Sequence, residues 1–159
     1  FRCLLSTMYC WIRWIVLATV CQLVALQPHY RTHLFYYTWY GTPNGNGQWL
    51  HWNHTLLKPD GGNDGPTPYR PPHIVASAYY PEGGPYSSLD REVIRRHLVQ
   101  AENMHVGVLV VSWWGRQGGD GQLQEHFGGY TDRVLRALLE EATGTAVRVA
   151  VHIEPYEGR

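Results

Sequence analysis

Three stretches of the chain end in side chains that could do chemistry together. They are Tyr37-Thr38-Trp39-Tyr40-Gly41, Ser112-Trp113-Trp114 and His152-Ile153-Glu154-Pro155-Tyr156. Glu154 follows the β-branched run Val147-Arg148-Val149-Ala150-Val151 almost directly. A carboxylate at such a position, facing a cleft, can bind a hydroxyl or move a proton. Facing a core instead, it would need a partner or a shifted pKa, and Arg148 or Arg159 could supply a salt bridge. The aromatic residues offer an apolar face and, in Tyr and Trp, a polar tip. A single aromatic at a strand end is ordinary packing, but three clusters at the same end of neighbouring strands point to a site.

Other motifs carry less. His51 and His54 in "HWNH" have an i, i+3 spacing that could meet one metal, yet no adjacent Cys or acidic residue completes a ligand set. Sugar-hydroxyl contacts or structural hydrogen bonds suit them better. Asn53-His54-Thr55 is an N-glycosylation sequon, and its place between Trp52 and an apolar run predicts burial. "GRQGGDG" (115–121) lacks the Gly-Lys-Ser/Thr of a P-loop and reads as a loop. There is no serine nucleophile elbow. Glu140-Glu141 is expected on a solvated helix face.

The elements needed to hold the three clusters are legible in the hydrophobic pattern. "HLFYYTWYG" (33–41) has strand composition and stops at a glycine. "KPDGGNDGPTPYRPP" (58–72) is a loop, and "IVASAYY" (74–80) is a weaker strand candidate closed by Pro81. Residues 91–104 place Ile94, Leu98 and Ala101 at helical spacing behind Asp90 as N-cap. "VGVLVVSWW" (106–114) is a continuous apolar run, as in a strand buried on both faces. A second helix is expected over 132–142, with Leu135, Leu138, Leu139 and Ala142 on one stripe, and "VRVAVHIEP" (147–155) as another buried strand. Alternating strands and helices predict a parallel α/β sheet, doubly wound or part of a (β/α)8 barrel. Ligands bind beyond the carboxyl ends of such strands.

Composition narrows the partners. Thirteen basic and thirteen acidic residues cancel, which gives no electrostatic reason to expect nucleic acid or an anionic membrane surface. Charged residues make up only 16%, while seven Trp and eleven Tyr supply amphipathic rings in quantity. All three cysteines, Cys3, Cys10 and Cys21, fall in the first 21 residues, so the remainder has neither a disulfide framework nor a Cys-based zinc site. Trp14 to Leu26 is almost wholly apolar, with Arg2 and Arg13 on its N-terminal side. That pattern predicts a signal peptide or signal-anchor over residues 1–30. A globular part over 31–159 follows, about half of the roughly 250 residues a complete barrel takes.

Read in order, "FYYTWYG" (35–41), "WLHWNH" (49–54), "AYYPEGGPYSSLD" (78–90), "GVLVVSWW" (107–114) and "VAVHIEPYEGR" (149–159) resemble the endo-α-1,2-mannosidases of glycoside hydrolase family 99. The resemblance covers residues 33 to 159. It implies an incomplete (β/α)8 TIM-type barrel, roughly its first half, with the site at the C-terminal strand ends. It implies retaining hydrolysis of the α-1,2 bond in a glucosylated high-mannose N-glycan, with release of a glucosyl-mannose unit and with no metal or cofactor. Bacterial relatives act on mannan. Tyr37, Tyr40, His54, Trp113, Trp114, Glu154 and Tyr156 would line the substrate cleft, with Glu154 an accessory carboxylate. The proton-transferring pair belongs to a later Asn-Glu-Trp-x-x-Glu type of segment that this sequence does not contain. Animal members are Golgi proteins held by one N-terminal membrane segment, with secretion or periplasmic export as the alternative. A non-catalytic carbohydrate-binding remnant or an unproductive truncated product are the competing readings. The sequence departs from the family in its glycine-rich 115–121 loop and in Glu157 after "HIEPY".

Overall fold

The computed structural model describes residues 29–54, 68–116 and 129–153. The apolar leader and the last six residues lie outside them. Among the described residues no helix is long and apolar enough to cross a membrane.

Three parallel strands form one sheet in the order β1-β2-β3: β1 is His29–Tyr36, β2 Val106–Trp113 and β3 Arg148–Ile153. Leu34 pairs with Leu109 and Phe35 with Val110, and across the next ladder Val111 pairs with Val151 and Ser112 with His152. All three carboxyl ends therefore meet at one edge. β1 opens earlier than the expected residue 33. Its start runs so close to β2 that a Cβ on Gly107 would stand 2.6 Å from the Tyr30 Cα and 2.7 Å from the His29 carbonyl.

Two 13-residue helices cover one face. A four-residue helix α1 (Pro43–Asn46) follows β1, then α2 spans Arg91–Asn103 and α3 Tyr130–Ala142. Asp90 caps α2 as expected, accepting the Glu92 N–H at 2.9 Å. The periodic Ile94, Leu98 and Ala101 are buried against Leu109 and Val111 of β2 and Leu135 and Leu138 of α3. Burial of each Leu or Ile stabilises the packing by roughly 1.5–3 kcal/mol.

Period-two alternation divides the side chains of β2 between the two faces. Leu109, Val111 and Trp113 point to the helices, and Val110 and Ser112 to the other side. Phe35, Tyr37 and His152 share that second face, with the Phe35 ring 5.6 Å from Tyr37 and 5.2 Å from His152.

Three expectations need correction. β2 is buried, but β3 is not: Val151 is 46% and Ile153 62% exposed. β3 is an edge strand with a neighbour on one side only among the described residues. "IVASAYY" is no strand. Only Ile74 pairs, in an isolated bridge with Arg70, and Ala76 N–H is bound instead by the Trp52 carbonyl. Glu140 is solvated as expected, but the Glu141 side chain is only 14% exposed. Its carboxylate takes Arg91 and Arg95 of α2 at 2.9 and 2.6 Å, and these bonds tie the two helices together.

Candidate functional site

Beyond Tyr36 the chain leaves the sheet but keeps its alternation for a few residues, and the two sets of side chains take different roles. Thr38 is fully buried and its hydroxyl donates to the Ser112 carbonyl at 3.2 Å. That bond locks the end of β1 to the end of β2. Tyr37 and Trp39 lie on the opposite side, stacked with ring centroids 4.5 Å apart and planes inclined by 14°.

A third ring completes the stack. His51 lies 4.7 Å from Trp39 at 8°. Its backbone has φ of +59°, and the Trp52 N–H reaches the Leu50 carbonyl across it at 2.7 Å, the pattern of a γ-turn. Left-handed backbone costs a residue with a side chain about 1–3 kcal/mol and persists where the surroundings impose it. Here they do. Leu50 is held on one side by a two-bond bridge to Gly41, and Trp52 on the other by Ala76 N–H to its carbonyl and by its own buried indole N–H to the Tyr86 carbonyl at 2.8 Å. The strained turn presents the imidazole flat against Trp39.

Tyr37, Trp39 and His51 thus form a three-ring wall, which Trp114 and His54 extend. Trp114 meets Trp39 at 6.4 Å and donates its indole N–H to the Ser112 hydroxyl at 3.2 Å. His54 packs edge-on to His51 at 5.2 Å. Tyr40 turns the other way, stacking on Trp52 at 4.0 Å and meeting Tyr86 at 5.8 Å. Burial pushes the Tyr40 phenol up, and that of Tyr86 up to about 12, so both stay neutral in the physiological range.

Of the seven cleft residues expected from sequence, Tyr37, His54 and Trp114 come together around Trp39, and Tyr40 supports them from behind. Trp113 is set apart. Its ring packs on the helix-facing core and its indole N–H donates to Asp132 of α3 at 3.2 Å, an acid that also accepts from Arg136. Glu154 and Tyr156 lie outside the described residues, just past the end of β3 at Ile153. Asn53, expected to be buried, is partly exposed. For His51 and His54, no group of three or more His, Cys, Asp or Glu side chains suited to a metal occurs among the described residues.

Sequence reasoning missed the centre of the wall. Trp39 stands two residues after Tyr37, the i, i+2 spacing of a shared face, and that signal was available. The part played by His51 was not legible, because it depends on a positive φ. Among the described residues, open cavities of about 590 and 330 Å³ lie beside α2 and share Gly83, Tyr86 and Arg96. Because Trp39 is stacked on both Tyr37 and His51, and His51 is buried, the wall offers a ligand the exposed side of Tyr37 together with ring edges and hydrogen-bonding groups. It can bind and orient a ligand with apolar C–H faces and many hydroxyls.

The profile of glycosyl hydrolase family 99 matches residues 27–159. The chain belongs to that family. It is 41% identical over 136 residues to glycoprotein endo-alpha-1,2-mannosidase of Xenopus laevis, covering 83% of this chain and 29% of the relative. It is 38% identical over 131 residues to glycoprotein endo-alpha-1,2-mannosidase-like protein of Homo sapiens, covering 80% and 28%. The solved GH99 endo-alpha-mannosidase from Bacteroides thetaiotaomicron superposes with a TM-score of 0.62 at 36% identity, covering 80% of this chain and 35% of that one. The chain therefore spans less than a third of the curated relatives it matches. The ring wall lies within the residues that the family profile matches.

Proposed function

We propose that the protein carrying this sequence is an endo-acting α-1,2-mannosidase. It hydrolyses the α-1,2 bond of glucosylated high-mannose N-glycans with retention of configuration and releases a glucosyl-mannose unit. The observation that carries this reading is the parallel Tyr37–Trp39–His51 stack at the carboxyl end of β1, joined there by Trp114 from β2. Pyranose rings present flat C–H faces that settle on aromatic faces, while hydroxyls at their edges reach phenol, imidazole and indole groups. The three parallel strands are then the opening strands of a (β/α)8 barrel, whose sites gather at this end.

On this reading Glu154 touches substrate as an accessory carboxylate, and Tyr156 lines the same cleft. Proton transfer falls to a pair of carboxylates in an Asn-Glu-Trp-x-x-Glu type of segment. One assists the sugar's own 2-hydroxyl through a 1,2-anhydro intermediate, and the other protonates the leaving oxygen. That segment is not within these 159 residues, so the chain by itself is expected to bind glycan without turning it over. Residues 1–30 would hold the protein in the Golgi membrane with the remainder lumenal, or direct its secretion, where mannan becomes the substrate.

A carbohydrate-binding remnant is the second reading: the rings of Tyr37, Trp39 and Trp114 at the strand ends can hold a glycan without any proton transfer. One experiment separates the two. The product of the full reading frame, incubated with a glucosylated high-mannose N-glycan, should release a glucosyl-mannose disaccharide. Binding without release would favour the remnant.

A further inference from the structure

The Tyr37–Trp39–His51 stack is carried on two separate pieces of chain, the residues just past β1 and the 49–54 turn. His97 of α2 reaches both pieces from behind the stack. Towards β1, its Nδ1 lies 3.1 Å from the hydroxyl of Tyr36, the residue before Tyr37. Towards the turn, its ring meets Tyr86 edge-on at 5.1 Å and 77°. Tyr86 in turn packs at 5.3 Å against Trp52, the residue after His51, and takes the Trp52 indole N–H on its carbonyl at 2.8 Å. Tyr36 and Trp52 are both buried, so His97 acts on the stack through them and not on a ligand.

We propose that His97 is a positioning residue for the glycan site: as a neutral imidazole it holds the end of β1 and the 49–54 turn in register, and its protonation loosens the stack and weakens glycan binding. Burial, with Tyr86 as a lesser cause, pushes the Tyr36 phenol up, so it remains an O–H group. Without a proton, Nδ1 accepts that O–H. With a proton it cannot, and the buried phenol loses its one acceptor among the described residues. The groups facing the imidazole give a cation little support. Tyr36 and Tyr86 are uncharged, and Arg96, the neighbouring residue on α2, repels it. Glu82 is the acid among the residues lining the same 330 Å³ cavity, with Gln100 beside it. Burial and Arg96, in that order, hold the imidazole below its ordinary value, so the neutral form is the one present at neutral pH. The cavity is open, and it brings solvent protons to the ring while the protein stays folded.

This role rests on the reading of the ring wall as the glycan site. The product of the full reading frame, as wild type and His97→Gln, would be titrated calorimetrically with an α-1,2-linked manno-oligosaccharide between about pH 7.5 and about pH 5, where a histidine changes charge. Wild-type affinity should fall by about tenfold across that range, while His97→Gln, which has no group to titrate there, should give a flat profile. A second measurement needs no variant. In the folded wild-type protein carrying 13C-labelled histidine, saturating oligosaccharide should lower the NMR titration midpoint of His97. A ligand that prefers the neutral imidazole disfavours its proton by the same factor, so a tenfold effect is a shift of about one pH unit. A midpoint that does not move with ligand would leave His97 a merely structural residue and overturn the proposal. So would a pH dependence that survives in His97→Gln. Wild-type binding of equal strength at both ends of the range would sink this inference alone, whereas no binding at any pH would overturn the functional reading with it.

Discussion

The Trp39 indole and the His51 imidazole lie parallel, 4.7 Å apart, although they are 12 positions apart in the chain and a left-handed backbone turn intervenes. Aromatic pairs of this kind contribute about 0.5–1.5 kcal/mol beyond their burial, and Trp39 makes two, with Tyr37 and with His51. Trp39→Ala should lower thermal stability and reduce affinity for α-1,2-linked manno-oligosaccharides by tenfold or more, about 1.4 kcal/mol. Calorimetric titration checks this, and unchanged affinity would remove the wall from the site.

The neighbouring tryptophans should behave oppositely. Trp113→Phe deletes the hydrogen bond to Asp132 and should cost about 0.5–1.5 kcal/mol of stability with glycan affinity unchanged. Trp114→Ala should weaken glycan binding, because its ring stands with Trp39 at the strand ends. Denaturant unfolding and titration of both variants decide the assignment. Equal losses of binding would contradict it.

Gly107 should tolerate no side chain. A Cβ there meets backbone atoms of His29 and Tyr30, which cannot swing aside. Gly107→Ala should destabilise by about 1–3 kcal/mol through overpacking between β1 and β2. A denaturant midpoint equal to wild type would show that the two strands do not approach this closely.

Acid should weaken the fold in a window set by His97. Burial, with Arg96 as a second cause, holds its imidazole below the ordinary value, and its Nδ1 lies 3.1 Å from the Tyr36 hydroxyl. The unfolded chain then takes up this proton more readily than the folded one. The stability from neutral His97 is complete above the unfolded pKa, about 6.5, and drains as pH falls from there through the lower folded value. His97→Gln should flatten that limb of a stability–pH curve, and an unchanged slope would assign it to other groups.

Much of the scaffold was legible because local pattern and tertiary need agree. Asp90 caps α2, Ile94, Leu98 and Ala101 line its buried face, and Val106 to Trp113 is the central strand. Where burial depends on neighbours, sequence misleads: Val149 packs against the core as read, yet Val151 is 46% exposed, because β3 pairs on one side only among the described residues. The site was legible as a clustering of aromatics at strand ends, and Tyr37 and Trp114 stand there. Which rings join the stack was not. Trp113 and Trp114 are adjacent letters whose opposite faces are fixed only by the phase of β2, and His51 joins the wall through a backbone conformation that no propensity announces. Glu141 likewise looked solvent-facing until α2 brought two arginines to it.

The most direct test follows a glucosylated high-mannose N-glycan by proton NMR while the product of the full reading frame acts on it. A glucosyl-mannose disaccharide should appear first as its α-anomer and only later mutarotate. A β-anomer formed first, or glycan binding with no disaccharide released, would contradict a retaining endo-α-1,2-mannosidase.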